Sequence, residues 1–299
     1  MVTYSNKKKS LWEKLKVNPS NAPYYFILPV MILFIIFMVY PIIDSLILSF
    51  QKFEYGKYTF VGIKNYEMLF KDPTFIKALE NNFIYLIIQV PIMILLALIF
   101  ATLVNSKFIK YKHFFRMSFF LPTVTGLVAY SIVFKLLLNT DYGFINYILR
   151  LFHLPIVDWL NGEFSSKISI ILALTWRWTG YNMVILLAGL QGISEEIYEA
   201  CDIDGANGIQ KFTFITVPLL KPVIIFCTIT STIGTLQLFD ESYVLTQGGP
   251  NNATITVAHY LYNTGFKFFN FGYAAAISYI LVIIIAVFSF IQYKVIGSD

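Results

Sequence analysis

Phe83 to Val104 runs without one charged side chain, more apolar sequence than a helix in a soluble protein can hide on all its faces. A helix rises about 1.5 Å per residue and needs about 20 apolar residues to cross a hydrocarbon core about 30 Å thick. Five further stretches are of comparable length: Tyr24 to Ile43, Met117 to Leu138, Ile168 to Leu190, Pro222 to Phe239 and Phe271 to Tyr293. The pattern predicts an all-α membrane protein with six transmembrane helices. Composition excludes a water-soluble globule, since 57% of residues are hydrophobic and only 13% charged. Pro29, Pro41, Pro91 and Pro122 fall within or at the start of these spans and predict kinks, which bundles tolerate where neighbours repair the freed carbonyls.

Lys7, Lys8 and Lys9 precede the first span in the manner of a signal peptide. Its apolar stretch is too long for one and no small-residue cleavage site follows, so the span is read as part of the mature chain. Leu11, Trp12 and Leu15 alternate with Glu13, Lys14 and Lys16, which fits either a short helix lying on the headgroups or a solvated tail. Lys and Arg then set the direction. Lys7, Lys8, Lys9, Lys14 and Lys16 crowd the tail, and Lys107, Lys110, Lys112 and Arg116 crowd the second connection, so both are expected in the cytosol. Residues 51–79, 139–167 and 240–270 are then outside, and both termini cytosolic. The expected organisation is a tail over 1–23, one membrane domain over 24–293 with a cytosolic loop at about 194–221, and a second tail over 294–299, in the cell membrane.

Several chemistries have no residues to carry them. The chain has no G-x-x-x-x-G-K-[ST] loop to cradle a nucleotide's phosphates, and nothing like H-E-x-x-H or G-x-S-x-G, which excludes a membrane-embedded hydrolase. His113, His153 and His259 are scattered over different connections without ligand spacing, so no metal or other cofactor is expected on this chain. The net charge of +5 is spread too thinly for a nucleic-acid groove. Cys201 and Cys227 fall on the cytosolic side or inside the membrane, where a disulfide has little reason to form. The acids within or beside the spans are Asp44, Asp240 and Glu241, and Arg177 interrupts span four; each is near enough to a span end to be interfacial.

The loop between spans four and five is unusually structured for a cytosolic connection. Ser194 can cap a helix whose first turn holds Glu195 and Glu196, both favoured at the positive end of the helix dipole. Ile197 and Cys201 share its apolar side, with Ala200 beside them. Gly205 and Gly208 permit a sharp reversal into a second short helix with Ile209 and Phe212 on one edge. A helix lying on the membrane would account for the amphipathicity but not for the tight bend; a knob that docks into another protein accounts for both.

Glu199-Ala200-Cys201, then Asp204-Gly205-Ala206, with Gln210, Phe212, Ile215, Pro218, Leu219 and Leu220 behind, resembles the EAA loop of binding-protein-dependent ABC importer permeases. Leu187-Ala188-Gly189-Leu190-Gln191-Gly192-Ile193, Leu245-Thr246-Gln247-Gly248-Gly249-Pro250 and Gly62-Ile63-Lys64-Asn65-Tyr66 resemble the sugar-import branch of that family, which includes maltose and glycerol-phosphate permeases. Cys201 departs from the usual second alanine but is also small. The resemblance implies a coupling helix seated in a cleft of a cytosolic ATPase dimer, with Glu199, Ala200, Cys201, Asp204, Gly205, Ala206, Phe212 and Pro218 as coupling residues. It further implies a homologous second permease, an extracytoplasmic solute-binding protein, and ATP and Mg bound by the partner ATPase rather than by this chain, which is not itself an enzyme.

A sugar path needs polar groups for hydroxyls and aromatic faces for the ring. Span four offers Trp176, Trp178, Tyr181 and Asn182; span five and its outer end offer Gln237, Asp240, Glu241 and Tyr243. Aromatic residues near span ends also form interfacial belts, and that reading stays open for each. The competing functions are a permease for another polar solute such as glycerol phosphate, an ion-coupled secondary transporter, and an assembly protein that uses the loop only for docking. The second would need ion sites near the midplane, often on repeated halves, and neither an internal repeat nor an acid at a span centre is present.

Overall fold

The computed structural model of the chain describes residues 19, 22–106 and 109–297. The readings of the lysine-rich amino-terminal tail, of its alternating Leu11, Trp12 and Leu15, and of Lys107 lie outside the described residues. Helix α1 (Ala22–Ser49) carries one π-helical turn at Ile35–Val39, just before Pro41. Strands β1 (Gln51–Glu54) and β2 (Lys57–Phe60) follow, then α2 (Lys64–Leu69) and α3 (Pro73–Asn105). Next come α4 (Lys112–Val124), α5 (Leu127–Leu137), α6 (Phe144–Leu151) and α7 (Glu163–Leu190). The EAA-like stretch forms α8 (Glu195–Ile203) and α9 (Gly208–Leu219), and α10 is Lys221–Leu236. A π-helical turn at Glu241–Leu245, α11 (Val257–Tyr262) and α12 (Phe271–Gly297) complete the chain.

Among the described residues, α1, α3, α7 and α12 are each long and apolar enough to cross a membrane. Two bent pairs, α4 with α5 at 98° and α9 with α10 at 71°, bring the number to six when each pair counts as one span. The protein is a multi-pass membrane protein. The third span, expected as one kinked helix over Met117 to Leu138, is instead two helices. Pro122 lacks the N–H that would continue the ladder, the Thr125 hydroxyl caps the Pro122 carbonyl at 2.6 Å, and Thr125 and Gly126 are extended. Pro91 behaves differently, lying inside an α3 that continues to Asn105.

Residues 51–60, read from the sequence as part of an outer loop, form a two-stranded antiparallel hairpin in an otherwise helical chain. Tyr55 and Gly56 both have positive φ, 50° and 77°, the two-residue turn whose twist matches paired strands. The Gly62-Ile63-Lys64-Asn65-Tyr66 motif anchors this hairpin to the end of α1. Buried Asn65 donates to the carbonyls of Ser49 and Gln51 at 2.8 and 2.9 Å, and the hydroxyls of Tyr66 and Ser49 lie 2.7 Å apart.

Helix α3 is central, packing on α7, α10 and α11, while α4 lies on α7, and α12 joins α10 to α1. Leu86, Val90, Met93, Ile94, Ala97 and Ala101 recur on one face of α3 and meet Met183, Leu186, Leu187 and Leu190 of α7. Asp72 caps α3, accepting from the Thr74 and Phe75 amides at 2.8 and 3.4 Å. Burial alone would raise its carboxyl pKa, but the hydroxyls of Tyr260 and Tyr273 and these two amides outweigh that and hold it below the usual value. At the junction of α9 and α10 the bend is seated rather than loose. Leu220 is buried, its amide donates to Thr216, its carbonyl accepts from Ile224, and a Cβ on Gly189 of α7 would lie 2.9 Å from its Cδ2.

Candidate functional site

A cavity of about 330 Å³ opens between α3, α5, α7, α10 and the turn after α10. Gln89 and Asn182, both almost fully buried, sit on its wall midway along α3 and α7. Their hydrogen bonds are poorly matched. Gln89 Nε2 donates to the thioether of Met93 at 3.2 Å, and Asn182 Nδ2 divides between the Trp178 carbonyl at 3.1 Å and the same sulfur at 3.6 Å. A thioether is a weak acceptor, so two amide donors at the chamber wall are underused. Ser231 and Thr235 of α10 reach the amide oxygens of Asn182 and Gln89 at 3.5 and 3.3 Å. Trp178 and Tyr181 stand edge to face on the same wall, ring centres 5.9 Å apart, and Phe239 also lines it.

Of the residues singled out from the sequence for a sugar path, Tyr181, Asn182, Gln237, Asp240 and Glu241 line this one chamber. Trp176 does not: it packs against Phe134 and Tyr130 on another side of α7, with ring centres at 5.3 and 6.5 Å, and is half exposed. Tyr243 lies in an aromatic cluster stacked on Phe239 at 5.1 Å, with His259 and Tyr262 each at 5.3 Å. Sequence reasoning passed over Gln89, Met93, Thr230, Ser231, Gly234 and Thr235. An amide isolated in a charge-free span, as Gln89 is, is a legible signal, because polar groups in lipid are costly.

Arg177, which sequence position left as interfacial, is buried. Its guanidinium carbon lies 4.5 Å from the Tyr130 ring centre and 5.5 Å from that of Trp178, and Nη2 donates to the Thr123 carbonyl at 3.4 Å. The Tyr130 hydroxyl donates to Glu241, itself buried, so α5, α7 and the turn after α10 meet at one charged cluster. Asp44 lies near the end of α1, seven positions before the hairpin begins at Gln51, and none of the chamber is built from it.

The backbone breaks at the end of α10 and the start of α11 are repaired from α3. Asn82 donates to the Leu236 carbonyl at 2.7 Å and accepts from the Val257 amide at 3.1 Å, while Asn81 donates to the carbonyls of Asn252 and Ile255. The Leu245 to Pro250 motif is a closed turn: Gln247 and Gly248 have positive φ, and Gly248 exchanges backbone bonds with Ser242 and Thr254. Ser242 spends its single hydroxyl proton on the Thr254 carbonyl at 2.7 Å, so the 2.8 Å contact to His259 Nδ1 is a donation from the ring. Burial, with a smaller contribution from Lys267, pushes the His259 pKa down to about 4, and the ring is neutral.

At the other end of α10 the EAA-like stretch is capped on both sides of its turn. Ser194 accepts from the Glu196 amide, Gly205 has φ +77°, and the amides of Gly205 and Ala206 reach back to Asp202 and Cys201, a Schellman motif. Asn207 and Gln210 then form a reciprocal capping box at 2.9 and 2.8 Å. Tyr198 of α8 meets the Thr216 hydroxyl of α9 at 3.0 Å, and Asp202 pairs with Lys211. Glu199, Ala200, Asp204, Gly205 and Pro218 are exposed, Cys201, Ala206 and Phe212 half-buried, and Ile203, Ile209 and Phe214 present bare apolar surface. Cys201 and Cys227 are both free thiols.

These features define a multi-pass membrane protein with a polar, aromatic chamber between its helices and a rigid capped turn at the far end of one of them. Residues 70–296 match the family described as the binding-protein-dependent transport system inner membrane component, and the chain belongs to that family. It is 48% identical over 273 residues to the lactose transport system permease protein LacF of Rhizobium radiobacter, covering 90% of this chain and 91% of that one. It is 39% identical over 293 residues to the arabinooligosaccharides transport system permease protein AraP of Bacillus subtilis (strain 168), covering 97% and 93%. In fold it is similar to a crystal structure of a bacterial ABC transporter involved in the import of the acidic polysaccharide alginate, with TM-score 0.82, 23% identity and 97% and 99% of the two chains covered.

Proposed function

We propose that this chain is the transmembrane permease subunit of an ATP-driven ABC importer that carries a sugar or oligosaccharide into the cell by alternating access, with the chamber as its sugar path. The underused amide donors of Gln89 and Asn182 beside Trp178 and Tyr181 carry this reading, because a saccharide offers hydroxyl acceptors and apolar ring faces together. The lactose and arabinooligosaccharide permeases to which the chain is similar support the same solute class. ATP is hydrolysed on a separate subunit.

In this reading the broken pair α4 and α5 is one span and α10 alone is another, giving six with α1, α3, α7 and α12; both termini are cytosolic, and residues 24–293 are one membrane domain with its coupling loop at about 194–221. The exposed turn of Glu199, Ala200, Cys201, Asp204, Gly205 and Ala206, backed by Phe212 and Pro218, docks on a cytosolic ATPase dimer. A homologous second permease closes the pathway, and an extracytoplasmic binding protein delivers the solute. Trp176 and Tyr243, outside the chamber wall, flank the path rather than line it.

The test is uptake of labelled lactose by the assembled transporter in proteoliposomes. Gln89→Leu and Asn182→Leu are expected to assemble normally and to reduce uptake at least tenfold. Normal uptake by both variants would remove the chamber from the transport path.

A further inference from the structure

The two carboxylates on the chamber wall are in different electrostatic situations. Glu241 is buried, receives the Tyr130 hydroxyl, and lies within the field of Arg177. Asp240 is half-buried, and neither a Lys, an Arg nor a His is present among the described residues that line the chamber with it. Its other neighbours on the wall are amides, hydroxyls, glycine and apolar or aromatic groups. Walls of that kind screen a charge far less than open water does, so the Asp240 carboxylate acts on whatever enters.

We propose that Asp240 makes the chamber a charge filter: it accepts neutral and protonated amino saccharides and rejects acidic ones. The proposal rests on the reading of the chamber as the sugar path. A neutral sugar is accepted at Asp240, since its hydroxyls donate to a carboxylate. A uronate brings a second carboxylate into a space of about 330 Å³ with no lining cation to compensate it. An ammonium group gains the opposite interaction. At an effective dielectric intermediate between protein and water, one such charge pair changes an association constant about tenfold.

Asp240→Asn keeps the shape and one acceptor oxygen while removing the charge. Trp178 reports occupancy from the wall itself, so the assembled transporter in nanodiscs, with Trp12, Trp159 and Trp176 replaced by phenylalanine, can be titrated by fluorescence. The probes are lactose, digalacturonate and the protonated glucosamine dimer. Comparing the variant with the parent for each probe cancels differences in sugar stereochemistry. Measured against lactose in the same protein, Asp240→Asn is expected to tighten digalacturonate about tenfold and to weaken the glucosamine dimer about tenfold, whatever the change in lactose itself. Lactose binding with digalacturonate and glucosamine-dimer affinities that move in step with it in the variant overturns the charge filter and leaves the sugar path standing. No fluorescence response to any probe overturns the sugar path, and the filter with it.

Discussion

Gly180 and the Phe119 carbonyl are in such close apposition that a Cβ on Gly180 would lie 1.7 Å from that oxygen and 2.4 Å from its carbon. The contact seats the backbone of α4 directly on α7, just ahead of the 98° break, and alongside it Thr123 donates to the Arg177 carbonyl at 3.0 Å. Backbone cannot swing aside as a side chain can. Gly180→Ala should therefore cost at least about 1–3 kcal/mol and lower the melting temperature in detergent. Gly234→Ala, inside α10 with nothing within 4 Å of its added Cβ, should melt no lower than the parent.

His259 predicts an acid-sensitive packing of α11 against the turn after α10. Its ring titrates near 4 in the folded chain against 6.5 unfolded, so between those values the unfolded state binds more protons and stability falls as pH falls. The full effect is about 3 kcal/mol, spread from pH 6.5 down to 4, and above pH 6.5 it vanishes. His259→Asn can still donate to Ser242 but cannot titrate. Melting curves of the variant should be flatter across this window, with the remaining acid loss below it set by Asp72, whose depressed pKa stabilises the fold only while the carboxylate stays ionised.

Asn82→Ala should be more damaging than its size implies. Removing the amide strands the Leu236 carbonyl and the Val257 amide in a buried site, at about 1–3 kcal/mol each. Thermal unfolding should show the loss, and proteolysis should begin between α10 and α11.

The capped turn should separate docking from insertion. Gly205→Val opposes a φ of +77° while meeting nothing sterically, so the helices should insert normally and only the turn should re-aim. Gly205→Val and Glu199→Lys are each expected to reach normal membrane levels, to co-purify poorly with the ATPase and to show little uptake. Normal ATPase binding and transport by both would end the coupling assignment.

The apolar spans were legible because length and charge alone determine them, and the capped turn because Ser194, Gly205 and the helices they bound are neighbours in sequence. What escaped was either subtle in local chemistry or set by distant partners. Tyr55-Gly56 is a less distinctive hairpin signal than Asn-Gly, so the strands on either side of it read as loop in the sequence. Proline positions did not say which span would break: Pro91 is accommodated, whereas Pro122 is followed by the extended Thr125 and Gly126. Trp176 and Trp178 look equivalent in sequence, but two residues turn a helix by about 200°, so only Trp178 reaches the chamber. The burial of Arg177 depends on Tyr130 and Glu241, which no local pattern brings together.

The elbow at Leu220 gives the molecule a gear. One uninterrupted stretch of backbone carries the exposed turn at one end and, through α10, the Thr230 to Thr235 wall of the chamber at the other. Because the 71° corner is hydrogen-bonded on both sides and rests against Gly189, it cannot fold up to absorb a push. If the turn docks as proposed, a displacement applied at Gly205 would reach the chamber through α10, pivoting on the glycine whose missing side chain lets Leu220 sit down. A bulkier residue at position 189 would lift that pivot and detune the stroke without touching either the turn or the chamber.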